Sequence, residues 1–510
     1  MTANNLGTYF EKLATQNKKK TAVQFLNGNK ISFDNLNLNS NKISSWMIKS
    51  GVKPNNCICI LSNKNEYVFF LIIACLKVGA PYTILDKDVP IPRNARIIKT
   101  LKPRFIFSTL DQSSKISKYK NFISRKMIEE ILHNQLIKIK RPNFDSRFLA
   151  YNMFTSGSTG NPKGVSITHK NVFNFISWAK EEYKINEKDV FSNLNGLHFD
   201  NSIFDIFGGL FNGLTLVSVN KEELFDPKKF LSLSKKYKIT TWFSVPSLLI
   251  YFLYFNAVNK RSFASYKRVI FGGEAFPKKD LKQLFDSIGS RIKIYNVYGP
   301  TECTCICSNY KISKFDFSKK EISKYAPLGK KMIKKFDFYI LNKNKKTKFG
   351  EKGELVLCGP NVGQGYYNNA FETKKRFVQN HLQNKNKNIV YMTGDIVYQE
   401  KKSRLIYFVS RSDNQIKHLG HRIELDEIEK ALNGLDKIKS SVVTYGKKNN
   451  INEITAWVFN CKKKEKEIKY ELTKILPNYM IPSTINFLNK VPINNNGKID
   501  RLKIKLNYYD

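Results

Sequence analysis

Thr155-Ser156-Gly157-Ser158-Thr159-Gly160-Asn161-Pro162-Lys163-Gly164 packs glycines, hydroxyls and one lysine into a single short stretch behind the apolar-rich run 148–154. Glycines let backbone N–H groups close on an anion, hydroxyls donate to its oxygens, and a lysine adds charge. Phosphate is therefore the natural ligand of Thr155, Ser156, Gly157, Ser158, Thr159, Gly160 and Lys163. The spacing differs from the common P-loop, where Gly-Lys runs directly into Ser or Thr; here Pro162 precedes Lys163 and Gly164 follows it. A flexible Ser/Gly linker is the other reading of the same residues.

Outward from that loop the chain has an αβ rhythm. Up to about residue 110, apolar runs alternate with amphipathic stretches, as in 57–61 followed by 68–78. Short apolar runs recur at 239–244, 268–271 and 292–297 between helical segments, so parallel sheets covered by helices are expected. From Gly353 the texture changes to short strands, 353–358, 389–392 and 405–409, separated by Gly, Asn and Lys turns. A third section starts near Asp413, with a helix over 424–432 and strands over 440–445 and 453–460. The expectation is an α/β protein. Its large N-terminal domain, 1–411, has two helix-covered sheets and a β-rich subdomain, and its C-terminal domain, 412–510, is a separate small α+β unit.

Bulk composition narrows the class. At 510 residues the chain exceeds what one core usually supports, and 42% hydrophobic with 13% aromatic residues is enough for several. The longest apolar stretch, 67–80, is interrupted by Lys77 and falls short of the roughly 20 residues a membrane span needs, so it reads as a buried helix. The polar start, residues 1–7, carries no secretory pattern, which makes the cytoplasm the default location. Eight cysteines contain no Cys-x-x-Cys pair and read as reduced thiols. The alternation of Cys303, Cys305 and Cys307 suggests one face of a strand.

The net charge of +44 would suit a nucleic-acid or membrane-surface binder, but the lysines are spread along the whole chain among Asn and Ile. The pattern reads as compositional bias, and neither nucleic acid nor membrane is expected as a partner. A basic surface does favour an acidic partner protein through long-range steering.

Other segments add chemistry. In Asn296-Val297-Tyr298-Gly299-Pro300-Thr301-Glu302 the Gly-Pro turn presents Thr301 and Glu302 at a strand end, where α/β sheets bind ligands. Glu302 can hold Mg²⁺ against phosphate oxygens, Thr301 can bond a phosphoryl group, and Tyr298 can stack on a base. Tyr391-Met392-Thr393-Gly394-Asp395 places a carboxylate after a glycine turn, where Asp395 can accept both ribose hydroxyls. Ser410-Arg411-Ser412-Asp413, Gly420-His421-Arg422 and Asn496-Gly497-Lys498-Ile499-Asp500-Arg501 follow, the last with an Asn-Gly turn that exposes its lysine.

In this order and spacing the segments resemble the adenylate-forming superfamily of acyl-CoA synthetases, luciferases and adenylation domains of non-ribosomal peptide synthetases. The resemblance runs from Ile31-Ser32-Phe33 and Leu76-Lys77-Val78-Gly79-Ala80 through Gly353-Glu354-Leu355 and Gly363-Gln364-Gly365-Tyr366 to Lys498. It implies ATP and Mg²⁺, with Lys498, Thr301 and Glu302 catalytic, Asn296, Tyr298, Asp395 and Arg411 on the nucleotide, a hinge at Asp413 and a thiolation loop at Gly420.

Phe199-Asp200-Asn201-Ser202 resembles the amino-acid-activating branch, in which this aspartate binds the substrate's α-ammonium. The residues alone also allow Asp200 to cap a helix starting at Asn201. By the same resemblance the side-chain pocket maps to Asn201, Phe204, Phe243, Ile270, Gly272, Val297, Cys305 and Ile306. Its apolar character favours an uncharged side chain, because an ionised one would be desolvated without compensation. A medium aliphatic amino acid is the first expectation and D-alanine the second, Gly272 standing where D-alanine–carrier ligases typically have cysteine. An acyl- or aryl-CoA ligase is the alternative outside the amino-acid branch, with Asp200 as the discriminating residue. The chain stops shortly after Arg501, so a carrier protein with a phosphopantetheine arm is expected in trans, with free CoA as the other acceptor, and the enzyme is expected to be a monomer.

Overall fold

The computed structural model describes the chain apart from residues 1–3, 112–114, 138, 158–159, 319–324, 331–335, 344, 381–388, 439, 449–450, 460, 462, 489–491, 493–500, 507 and 510. It divides into two compact units. The first comprises Met1–Asp86, Leu101–Phe154 and Gly164–Ser412; the second comprises Lys87–Thr100, Thr155–Lys163 and Asp413–Asp510.

Among the described residues the first unit carries three sheets. One runs Ser308–Lys311, Lys293–Tyr298, Arg268–Gly272, Thr241–Ser244, Val190–Asn193, Thr215–Ser218, Thr21–Phe25 and Lys30–Ser32, parallel inside and antiparallel at both edges. A second has Tyr82–Asp86, Ile58–Ser62 and Phe105–Ser108 parallel at its centre. Every residue of Ile58–Ser62 is buried, as a parallel strand covered on both faces requires. The third sheet pairs Asp337–Asn342, Gly353–Cys358, Ile389–Gln399 and Ile406–Arg411 antiparallel and forms the expected β-rich part.

The apolar stretch read as a buried helix is one, spanning Glu66–Val78. The Asn65 side chain accepts from the Val68 N–H to start it, Gly79 at φ 75° ends it, and Val68 through Val78 are all buried. No described helix is long and apolar enough to cross a membrane.

The second unit, taken by itself, has a hairpin of Gln415–His418 with His421–Glu424 and a sheet of Ser440–Lys448, Ile451–Phe459 and Thr484–Leu488. The helices Leu425–Asn433 and Glu465–Thr473 bury Ile428, Leu432, Ile468 and Leu472 in a core with Val443 and Ala456. The texture of these elements is α+β, as expected.

Two local expectations fail. Cys303, Cys305 and Cys307 do not share a strand. Thr301–Cys303 is a 3-10 turn, and Thr304 and Cys305 take φ of 58° and 75°. Alternating sequence there reflects a tight irregular turn after Gly-Pro, with all three thiols buried. Likewise Asp395 does not follow a turn: Ile389–Gln399 is one strand, with Gly394 at φ 76° taken up inside it.

Candidate active site

The first unit holds the residues expected at the amino-acid and metal positions. Asp200 has φ −64° and ψ −24° and makes no side-chain cap bond, so the capping alternative does not hold. Its Oδ2 instead accepts the Thr301 hydroxyl at 2.6 Å. Several residues expected of the pocket share one apolar core. Phe204, Phe243, Ile270, Val297, Cys305 and Ile306 are all buried, and the Phe204 and Phe243 rings meet edge to face at 5.1 Å. Burial pushes the Cys305 thiol well up, and the charges of Asp200 and Asp205 push it the same way. The thiol is therefore a neutral apolar wall.

Gly272 ends Arg268–Gly272 against Lys293–Tyr298. A Cβ there would stand 2.6 Å from the Val297 carbonyl oxygen and 2.7 Å from its Cγ2, so any side chain forces the neighbouring strand to shift. Asn201 contributes to the same region, its Nδ2 lying 3.8 Å from where a Cβ on Gly273 would stand.

Glu302 is fully buried, and the Tyr366 hydroxyl donates to its Oε1 at 2.7 Å. Tyr366 belongs to the Gly363-Gln364-Gly365-Tyr366 motif, whose role the sequence leaves unstated. A single carboxylate suits Mg²⁺, which keeps waters and takes substrate phosphate oxygens as its other ligands. Asp395 accepts from Tyr298 on Oδ2 and from Arg411 on Oδ1, both at 2.6 Å. Tyr298 is buried, so its ring supports Asp395 from within rather than standing as an open stacking face. Asn296 donates to the Pro327 carbonyl at 2.8 Å.

In the second unit the loop after Phe154 is tightly folded. The Gly160 N–H donates to the Gly157 carbonyl at 2.8 Å, and Gly160 takes φ 77°. A Cβ on Gly157 would fall 2.0 Å from the Asn161 carbonyl oxygen, so only glycine fits. This excludes the flexible-linker reading. Ser156 donates to the Arg422 carbonyl at 2.7 Å, Arg96 donates to the Gly160 carbonyl at 2.7 Å, and Thr155 and Lys163 sit at the ends of strands that flank the loop. Asp413 Oδ1 accepts from the Gln415 N–H at 3.3 Å, and Leu419 and Gly420, at φ 50° and 80°, form the tip of the hairpin. Ser158, Thr159 and Lys498 lie outside the described residues.

The description of AMP-binding enzymes matches residues 10–367 of the chain. The chain belongs to the AMP-binding enzyme family. It is an adenylating enzyme with the mixed α/β adenylation fold. A D-alanine–D-alanyl carrier protein ligase of Bacillus cytotoxicus is 29% identical over 508 residues, covering 97% of both chains. Among solved structures, PA1221, an NRPS protein containing adenylation and PCP domains, superposes with a TM-score of 0.85 at 20% identity, covering 99% of this chain and 84% of its own. The o-succinylbenzoate CoA synthetase MenE of Bacillus subtilis gives a TM-score of 0.86 at 19% identity and covers 99% of each chain. The fold alone thus accommodates both carrier-linked and CoA-linked enzymes.

Two functional candidates lay outside the sequence reading. Tyr366 has no role that its motif states, and Asp205 stands outside every motif. The available signal for Asp205 was its place in the apolar run Ile203-Phe204-Asp205-Ile206-Phe207, since a lone acid in such a run is buried and therefore partnered.

Proposed function

We propose that this enzyme activates an amino acid with an uncharged side chain as its aminoacyl-AMP and passes the acyl group to the phosphopantetheine thiol of a separate carrier protein. The carrying observation is Asp200, held by Thr301 and near the buried Cys305, which shares one apolar core with Phe204 and Phe243. One end of such a site takes a cation and the other takes hydrocarbon, which is the chemistry of an α-amino acid. The carrier as acceptor is supported by the full-length similarity to a carrier protein ligase.

In the first step a carboxylate oxygen of the amino acid attacks the α-phosphorus of ATP, and the bond to pyrophosphate breaks. The loop containing Thr155, Ser156, Gly157, Ser158, Thr159, Gly160 and Lys163 holds the leaving pyrophosphate. Asp200 fixes the α-ammonium, Asp395 and Arg411 grip the ribose, and Asn296 and Tyr298 back the nucleotide. Glu302 would hold Mg²⁺, which neutralises charge on the phosphate oxygens when bound. Lys498 bridges the substrate carboxylate and the phosphate. In the second step the thiol sulfur attacks the acyl carbon, the bond to AMP breaks, and the thiol proton leaves to solvent. The domain 412–510 turns about Asp413 between the steps and exchanges Lys498 for the Gly420 loop.

Valine, leucine or isoleucine is the first choice of substrate from the apolar, uncharged character of the phenylalanine-containing set. D-alanine is the second reading, favoured by the name of the relative; the absence of room for a side chain at Gly272 speaks against it. Lys498→Ala separates the steps. Adenylation is expected to disappear while loading of a holo-carrier from preformed aminoacyl-AMP, followed by mass spectrometry, continues at near the parent rate. Equal loss of both contradicts the assignment.

A further inference from the structure

Lys64 and Asp205 lie far apart in the chain, and both are buried. Lys64 follows the strand Ile58–Ser62 of one sheet, yet its ammonium donates to the carbonyls of Asn193 at 2.7 Å and Val219 at 2.6 Å. Those carbonyls lie at the carboxyl ends of two neighbouring parallel strands of the other sheet, Val190–Asn193 and Thr215–Ser218. The Lys64 backbone N–H donates to Asn220 at 3.2 Å in the same place. A single lysine therefore ties the two sheets together at their ligand-binding edge.

Asp205 accepts on Oδ2 from the side-chain amides of Asn193 at 3.0 Å and Asn195 at 3.1 Å, while its Oδ1 is buried with no hydrogen-bond partner among the described residues. The Asn195 amide also donates to the Phe243 carbonyl at 3.0 Å. Asp205 directly follows Phe204 in a single π-helical turn, Phe204–Gly209, a local irregularity often found beside functional sites. The two phenylalanines that meet at 5.1 Å are thus tied through their backbones to one carboxylate.

A buried carboxylate behind an apolar pocket is costly unless a cation accompanies it. Burial pushes the Asp205 carboxyl up and the Lys64 ammonium down, and each charge opposes the other's shift. Glu222 and Glu223 also face Lys64 and favour its charged form. The charges of Asp200 and Asp205 both push the Cys305 thiol up.

We propose that Asp205, with Lys64 as its counter-ion, is a positioning residue for the amino-acid subsite, setting where Phe204 and Phe243 stand against the substrate side chain. This rests on the reading that those two rings wall the amino-acid pocket. The pair acts on the amino acid and not on the nucleotide. Acidification protonates Asp205 earlier than an ordinary carboxyl because of its burial, so the KM for the amino acid rises on the acid side while that for ATP stays flat.

ATP–pyrophosphate exchange tests this with KM measured separately for ATP and for the amino acid that supports exchange. Asp205→Asn is expected to raise the amino-acid KM about tenfold, leave the ATP KM within about twofold, and remove the acid limb of the amino-acid KM profile. Asn195→Ala, at a half-buried position, cuts the link to Phe243 and removes one of the two amides on Asp205 while leaving both charges of the pair in place, and is expected to raise the amino-acid KM alone. If Asp205→Asn does not fold, Asn195→Ala decides. Unchanged amino-acid KM in the folded variants, or equal rises for both substrates, overturns the positioning role. Absence of amino-acid-dependent exchange in the unaltered enzyme overturns the functional reading itself, a separate outcome.

Discussion

Asp200 and Asp205 stand five residues apart and differ in how their charge is met. Asp205 is fully buried, takes two asparagine amides and has a lysine of the same chain as its cation. Asp200 is half-buried, bonds the Thr301 hydroxyl, and on the proposed reading receives its cation from the substrate. A carboxylate neutralised inside the fold supports shape. One that a ligand neutralises supports recognition. Removing either charge should weaken amino-acid use, but only the loss of Asp205 should also cost stability.

Asp205→Asn leaves Lys64 buried without its counter-charge and is expected to cost about 3 kcal/mol of stability. Lys64→Met alone should cost a similar amount, while the double substitution recovers much of it, as for a coupled pair. Thermal or urea unfolding of the three variants checks this, and simple additivity would break the comparison. Asp200→Asn keeps the Thr301 bond and removes only the charge. It should leave stability within about 0.5 kcal/mol and lower amino-acid-dependent kcat/KM by roughly two orders of magnitude, about 2.7 kcal/mol. Loss of stability instead would place Asp200 with Asp205 as a structural carboxylate.

His169 sharpens the same contrast from the basic side, as a buried group kept neutral. Its Nδ1 accepts the Leu6 N–H at 3.0 Å, and burial lowers its pKa from 6.5 to about 3. The unfolded chain binds the proton first, so this contribution is complete above pH 6.5 and is lost as pH falls toward 3. The unfolding free energy should fall on the acid side by up to about 1.4 kcal/mol per pH unit for this one group. His169→Gln, which keeps an acceptor, should flatten that limb.

Much of this architecture was legible from the sequence because its signals are local. The run of Ile58-Cys59-Ile60-Leu61 has the continuous apolar character of a parallel strand, and the helix Glu66–Val78 is framed by Asn65 and Gly79. The glycines of 157–164 mark a loop whose backbone turns tightly, which Gly157 and Gly160 now explain in atomic terms. Two kinds of feature escaped. Period-two spacing at Cys303, Cys305 and Cys307 imitated a strand because a positive-φ turn places side chains without regard to that period. The Lys64–Asn193–Asp205–Asn195 chain joins residues from two sheets, so no window of sequence contains it. Tyr366 escaped for the same reason, since its partner Glu302 comes from a distant segment.

The central claim, that Asp200 makes this an amino-acid-activating enzyme, is tested most directly by ATP–pyrophosphate exchange over a panel of amino, fatty and aryl acids with the parent enzyme and Asp200→Asn. The account predicts exchange with amino acids bearing uncharged side chains, and its loss in the variant. Exchange only with fatty or aryl acids, or exchange that survives Asp200→Asn undiminished, would contradict it.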